Sequence, residues 1–87
     1  MNSIFYILWS DTANKFYIGH TTEPIGERIR KHNLNHTGFT GKFQDWKLVF
    51  LEEHLTKELA YKREREVKAW KSRIKIQKLI AGSKHPD

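Results

Sequence analysis

Apolar and polar positions alternate in blocks along this chain. The first block, Ile4-Phe5-Tyr6-Ile7-Leu8-Trp9, is continuously apolar and aromatic. A strand of that kind is ordinarily covered on both faces, which places it at the centre of a sheet. Ser10 to Asn14 supplies turn-forming side chains, and Lys15 to His20 returns as a second strand, so the two make a β-hairpin. Side chains alternate across a strand. Lys15, Tyr17 and Gly19 therefore share one face, Phe16 and Ile18 take the other, and Tyr6 shares its face with Ile4 and Leu8.

Thr21-Thr22-Glu23-Pro24 reads as a helix entry, with Thr22 or Glu23 near the cap and Pro24 in the first turn. Ile25 and Ile29 form the buried stripe of that helix, Arg28 and His32 project together one turn apart, and the helix ends near Asn33 to Asn35. His36 to Lys42 is a loop with two glycines. Trp46 to Glu52 is a third strand, with Leu48 and Phe50 on one face and Val49 and Leu51 on the other. Thr56 then caps a long amphipathic helix to about Lys71, whose apolar positions are Leu59, Ala60, Val67 and Trp70. Ser72 restarts a short helix carrying Ile76, Leu79 and Ile80 and closed by Gly82. The order ββαβαα predicts an α/β fold, a small three-stranded sheet (a β-hairpin plus one strand) flanked by helices. Residues 1–82 form a single domain and 83–87 a flexible tail.

Composition narrows the partners. With 87 residues there is room for one modest core. No cysteine is present, which excludes disulfides, a thiolate zinc site and a Cys nucleophile. Ile4 to Trp9 is too short for a secretory core and lacks a basic lead-in, and no segment is long enough to span a bilayer, so a cytoplasmic location is expected. The net charge of +6 favours a polyanionic partner, and its bulk lies in the C-terminal third, including Lys62, Arg65, Lys68 and Lys71.

Four side-chain types could carry chemistry. Strand tyrosines such as Tyr6 and Tyr17 ordinarily only pack. As general bases they need a cation or metal to depress a reference pKa near 10, and Lys15, on the face of Tyr17, is a candidate. Arg28 lies beside the buried stripe, where a guanidinium suits a bidentate grip on phosphate, although an Arg-x-x-x-His helix face is often simply solvated. His32 is placed to pass a proton or to anchor a phosphate or a tyrosyl oxygen. Glu64 falls on the inward stripe between Ala60 and Val67, where an acid must be paired, protonated or bound to a cation. A salt bridge to Arg63, Lys68 or Arg28 would satisfy it. So would Mg²⁺, which keeps most of its waters.

Taken together, these pieces resemble the GIY-YIG nuclease domain. The first motif stands as Phe5-Tyr6-Ile7, with Phe5 in place of glycine, and the second is intact as Tyr17-Ile18-Gly19. Arg28, then His32 and Asn33, follow at similar spacing, as do Thr37-Gly38-Phe39-Thr40, Trp46 to Val49, and Lys62-Arg63-Glu64 with Val67 to Lys71. The resemblance covers residues 4 to about 80 and is closest to the short, stand-alone bacterial type. It departs from the family at Ile76 and Gln77, the region where many catalytic members carry an Asn.

The resemblance implies a metal-dependent endonuclease acting on DNA, branched or damaged DNA included, with Mg²⁺ or Mn²⁺ and no small-molecule cofactor or membrane. It gives Tyr6 or Tyr17 the activation of water, Arg28 the phosphate, His32 a helper role and Glu64 the metal, with Lys15 and Gly19 in support. Lys62, Arg65, Lys68 and Lys71 would bind nucleic acid, and cutting both strands would require a dimer or a second encounter. Two rival readings are a nucleic-acid-binding module of the same fold without turnover, and a partner-associated basic protein whose polar cluster is structural.

Overall fold

A computed structural model of the protein describes residues 2–34 and 43–82. The chain runs β1 (Ser3–Ser10), β2 (Lys15–Thr21), α1 (Ile25–Leu34), β3 (Lys47–His54), α2 (Lys57–Trp70) and α3 (Arg73–Gly82). The expected order ββαβαα is therefore the observed one. The loop at 36–42 and the tail at 83–87 lie outside the described residues.

The three strands are ordered β2-β1-β3 and pair antiparallel throughout. The unbroken apolar block thus occupies the centre, and Phe5, Tyr6, Ile7 and Leu8 are all fully enclosed. The alternation of side chains divides what covers them. Tyr6, Leu8 and Trp46 pack on one face with Tyr17 and with Ile25 and Ile29 of α1. Phe5, Ile7, Ile18 and Phe50 pack on the other with Val67 of α2 and Ile76 of α3. One sheet therefore carries a core on each side.

Two expected positions are corrected. Ile7 pairs with Phe50 but Leu8 pairs with Leu48, so the register shifts and Val49 is an extra residue on β3. Such a bulge interrupts strict alternation. Val49 and Phe50 both join the face of Ile7, while Leu48 and Leu51 take the other side, opposite Leu8 and Tyr6. On α2 the stripe is Ala60 and Val67 with Trp70 packed alongside, and Leu59 is turned outward.

Local signals explain the joints. Thr56 caps α2 by accepting from the Leu59 N–H at 3.2 Å. Lys71 adopts a left-handed conformation (φ 48°) that ends α2, and the Ser72 hydroxyl then accepts from the Lys75 N–H at 3.2 Å to start α3. In the hairpin turn, Asn14 takes the left-handed conformation (φ 56°) that Asn tolerates. The Asp45 carboxylate accepts from the Ser10 hydroxyl at 2.5 Å and the Thr12 N–H at 2.9 Å, tying that turn to the approach of β3. The Asn33 side chain accepts from the Trp46 N–H at 2.8 Å and donates to its carbonyl at 3.0 Å, which fixes the end of α1 against the start of β3.

Val67 is fully buried where α2 meets Phe5, Ile7 and Ile18. Val67→Ala is expected to cost about 2 kcal/mol of stability, measured as a lowered denaturant midpoint at unchanged slope.

Candidate active site

The site begins from a polar atom in the wrong solvent. Tyr6 stands in the central strand with its side chain fully buried, so its hydroxyl must be satisfied inside the protein. Two residues of α1, one turn apart, do this. His32 Nε2 lies 2.8 Å from the hydroxyl, and the Arg28 Nε–H donates to the same oxygen at 3.3 Å. Tyr17 completes the wall from β2, its ring 4.6 Å from the imidazole of His32 and 6.3 Å from the ring of Tyr6. Of the five residues expected to form one cluster, Tyr6, Tyr17, Arg28 and His32 are brought together on this face, and Glu64 is not.

Gly19 makes room for them. It pairs with Tyr6 across the hairpin, and a β-carbon there would stand 2.9 Å from the Tyr6 hydroxyl and 3.0 Å from Tyr17 Cε2. The position admits both rings only because it has no side chain.

Glu64 lies on the other side of the sheet, held by His20 and Lys68. His20 follows Gly19 and so points to the opposite face of β2, toward α2. Its Nδ1–H donates to Glu64 Oε1 at 2.5 Å, and the Lys68 ammonium donates to Oε2 at 2.7 Å. The acid thus approaches across the edge strand at Gly19-His20 and does not share the face of the phenols. Its charge nonetheless acts on Tyr6 and adds to the rise of that group's pKa. Of the salt bridges open to Glu64 in the sequence, the one formed is to Lys68. Arg63 turns to Glu52 and Glu66 instead.

The electrostatics of this wall follow from burial. Desolvation pushes Tyr6 up to about 12, although the hydrogen bond from Arg28 opposes it. Burial, and then the nearby Arg28 charge, lower His32 to about 4. At neutral pH both are therefore uncharged and Arg28 is the charged member. Arg28 is also the cation that acts on the Tyr6 phenol. Lys15 stands at the turn end of β2, opposite Ser10.

Beyond the wall, Arg28 lines an open groove of about 370 Å³ with Arg30, Lys31 and Leu34. Of the basic residues expected to meet nucleic acid, Lys62 and Arg65 line a separate open hollow of about 480 Å³ on α2 with Tyr61, Glu58 and Glu66. Lys71 is the exposed cap of that helix, and Lys68 is the partner of Glu64.

The wall's residues lie within a stretch that matches a known family. Residues 2–78 match the model of the GIY-YIG catalytic domain. The chain belongs to the GIY-YIG family. This is a nuclease family, as its resemblance implied. Among solved structures the chain is similar to the solution NMR structure of the UPF0213 protein BH0048 from Bacillus halodurans. That likeness has 32% identity and a TM-score of 0.62, and covers 99% of this chain and 89% of the other. No curated protein matches the chain.

Within this GIY-YIG domain, sequence reasoning passed over His20 and the part played by Asn33. His20 holds Glu64, and the available signal was its place directly after Gly19, which alternation aims at the α2 side. Asn33 clamps the backbone of Trp46 beside the rings of Tyr17 and His32, and its signal was a position directly after His32. A divalent cation at Glu64 would find one protein carboxylate. Among the described residues no three His, Cys, Asp or Glu side chains gather at one point. That donor set fits a hard cation that keeps most of its water, as Mg²⁺ does, and does not resemble a cage of protein ligands.

Two outcomes are expected. His32 should remain neutral down to about pH 4, against 6.5 for a free imidazole, as read from its ring resonances by NMR. Since the unfolded chain takes up this proton first, the fold keeps its full stability above pH 6.5 and loses on the order of 3 kcal/mol as the pH falls toward 4. Gly19→Ala should displace the Tyr6 ring at a cost of about 1–3 kcal/mol, with a lowered melting temperature and a shifted His32 spectrum.

Proposed function

We propose that the protein is a metal-dependent endonuclease that hydrolyses DNA phosphodiester bonds at the wall formed by Tyr6, Tyr17, Arg28 and His32, with Glu64 holding the cation. One observation carries this reading. Arg28 is oriented by the buried Tyr6 hydroxyl at 3.3 Å, and its side chain also lines the open basic groove with Arg30 and Lys31. A guanidinium fixed on one side and open on the other is suited to receive a phosphate and to stabilise the charge that grows on it during in-line attack.

The two phenols then take different parts. Tyr6 is enclosed and held neutral, so it serves as the anchor that aims Arg28, with His32 as its second hydrogen-bond partner. Tyr17 is half-buried on the same wall and is the phenol that water can reach, so water activation falls to Tyr17. Glu64 would hold the divalent cation, which would supply positive charge to offset the charge that develops during hydrolysis. Lys62 and Arg65 would meet flanking phosphates in a salt-dependent way without reading bases.

A second reading keeps the fold and the DNA but not the turnover. It is favoured by the engagement of both Glu64 oxygens, one by His20 and one by Lys68. The two readings separate in one assay. With plasmid and branched DNA plus Mg²⁺ or Mn²⁺, the nuclease nicks and EDTA stops it, whereas the binding module retains DNA in EDTA and nicks nothing. Arg28→Ala and Glu64→Gln should each lower the cleavage rate by on the order of a hundredfold or more. Glu64→Gln should leave the thermal melt near that of wild type, whereas Arg28→Ala stays folded but gives up one of the two hydrogen bonds to the buried Tyr6 hydroxyl, at a cost of about 1 kcal/mol. Undiminished cleavage in both variants would remove the site assignment.

A further inference from the structure

Glu64 is unusual for a helix-surface acid. Its side chain is only 12% exposed, yet its two oxygens are held by donors of very different character. The Oε1 partner, His20, projects from a sheet strand, is 21% exposed, and has its ring 5.3 Å from that of Tyr61. The Oε2 partner, Lys68, lies one helical turn along α2, is 51% exposed, and ends a flexible four-carbon stem. One hold is fixed by the fold. The other can leave into water at little cost.

A carboxylate on the inward side of a helix requires a counter-charge at all times. An ammonium and a divalent cation on one carboxylate repel each other, so each weakens the hold of the other. From this asymmetry we infer that Lys68 is the resident counter-charge of the metal position, expelled when a divalent cation enters, and that His20 is a positioning residue that keeps Glu64 aimed across the Gly19 edge. The inference rests on the proposed role of Glu64 as the metal-holding acid. It moves Lys68 out of the set that grips DNA and gives it a task before DNA arrives. It also gives His20 a part that neither family motif contains. Through its Nδ1–H, His20 fixes the orientation of the carboxylate, as hydrogen-bond partners of metal ligands commonly do.

The test is Mn²⁺ binding to the whole chain without DNA, followed by the electron paramagnetic resonance of free Mn²⁺ at one pH and ionic strength. Lys68→Met keeps the stem and removes the charge, and should bind Mn²⁺ on the order of tenfold more tightly than wild type. His20→Ala should bind about tenfold or more weakly. His20→Asn, whose carboxamide N–H can still donate to the acid, should recover most of that loss. Equal or weaker binding by Lys68→Met overturns the role of Lys68, and since that residue is exposed, misfolding does not confuse the result. Unchanged affinity in His20→Ala, or equal loss in His20→Ala and His20→Asn, overturns positioning by His20. Wild-type protein that takes up no Mn²⁺, or a Glu64→Gln variant that takes it up as wild type does, instead removes the reading of Glu64 beneath the inference, so the two failures are told apart.

Discussion

A hydroxyl in the middle of a sheet sets the terms for this protein. Tyr6 lies in the strand that both neighbours pair with, and its phenol is closed off from water. A buried hydroxyl without partners would cost roughly 1–3 kcal/mol, a large share of the stability of so small a domain. The partners it has, His32 and Arg28, come from one face of α1. The interaction that pays for burying Tyr6 therefore also docks α1 on the sheet and aims the guanidinium. On the proposed reading, stability and chemistry rest on the same two hydrogen bonds.

The same economy appears at the edge strand. β2 contributes Tyr17, Gly19 and His20 within four residues, and alternation sends His20 to the side opposite Tyr17 and Gly19. Tyr17 and the gap at Gly19 serve the phenol wall, while His20 reaches around to the acid on α2. A helix on each face of the sheet is thus coupled through one short segment. Glu64 influences Tyr6 electrostatically across that segment without sharing its face.

Much of this was legible beforehand, for identifiable reasons. The continuous apolar run at Ile4 to Trp9 has the pattern of a strand covered on both faces, and the periods of the following segments separated strands from helices. Arg28 and His32 were readable as a pair because one helical turn is a fixed geometry. Three features were not legible. The bulge at Val49 depends on how β3 meets β1 and leaves no mark in a run of apolar side chains. Leu59 follows a helical period yet faces outward, because the phase of α2 is set by Ala60 and Val67 against the sheet. One of the two partners of Glu64 was also hidden: Lys68, one turn along α2, was among the expected ones, but His20 is 44 positions away, and only the tertiary arrangement brings it to the acid.

The irregularity in β3 has a further consequence. With order β2-β1-β3, that strand is one of two sheet borders, and an exposed border offers unpaired amides and carbonyls to any passing chain. An extra residue at Val49 bends this border, and Lys47, Glu52 and Glu53 place charge along it. Another molecule of the protein would meet a ladder whose rungs fall out of step, beside ionic side chains it cannot bury. The same kink that sends Val49 and Phe50 together into the core thus discourages the sheet from growing sideways into aggregates.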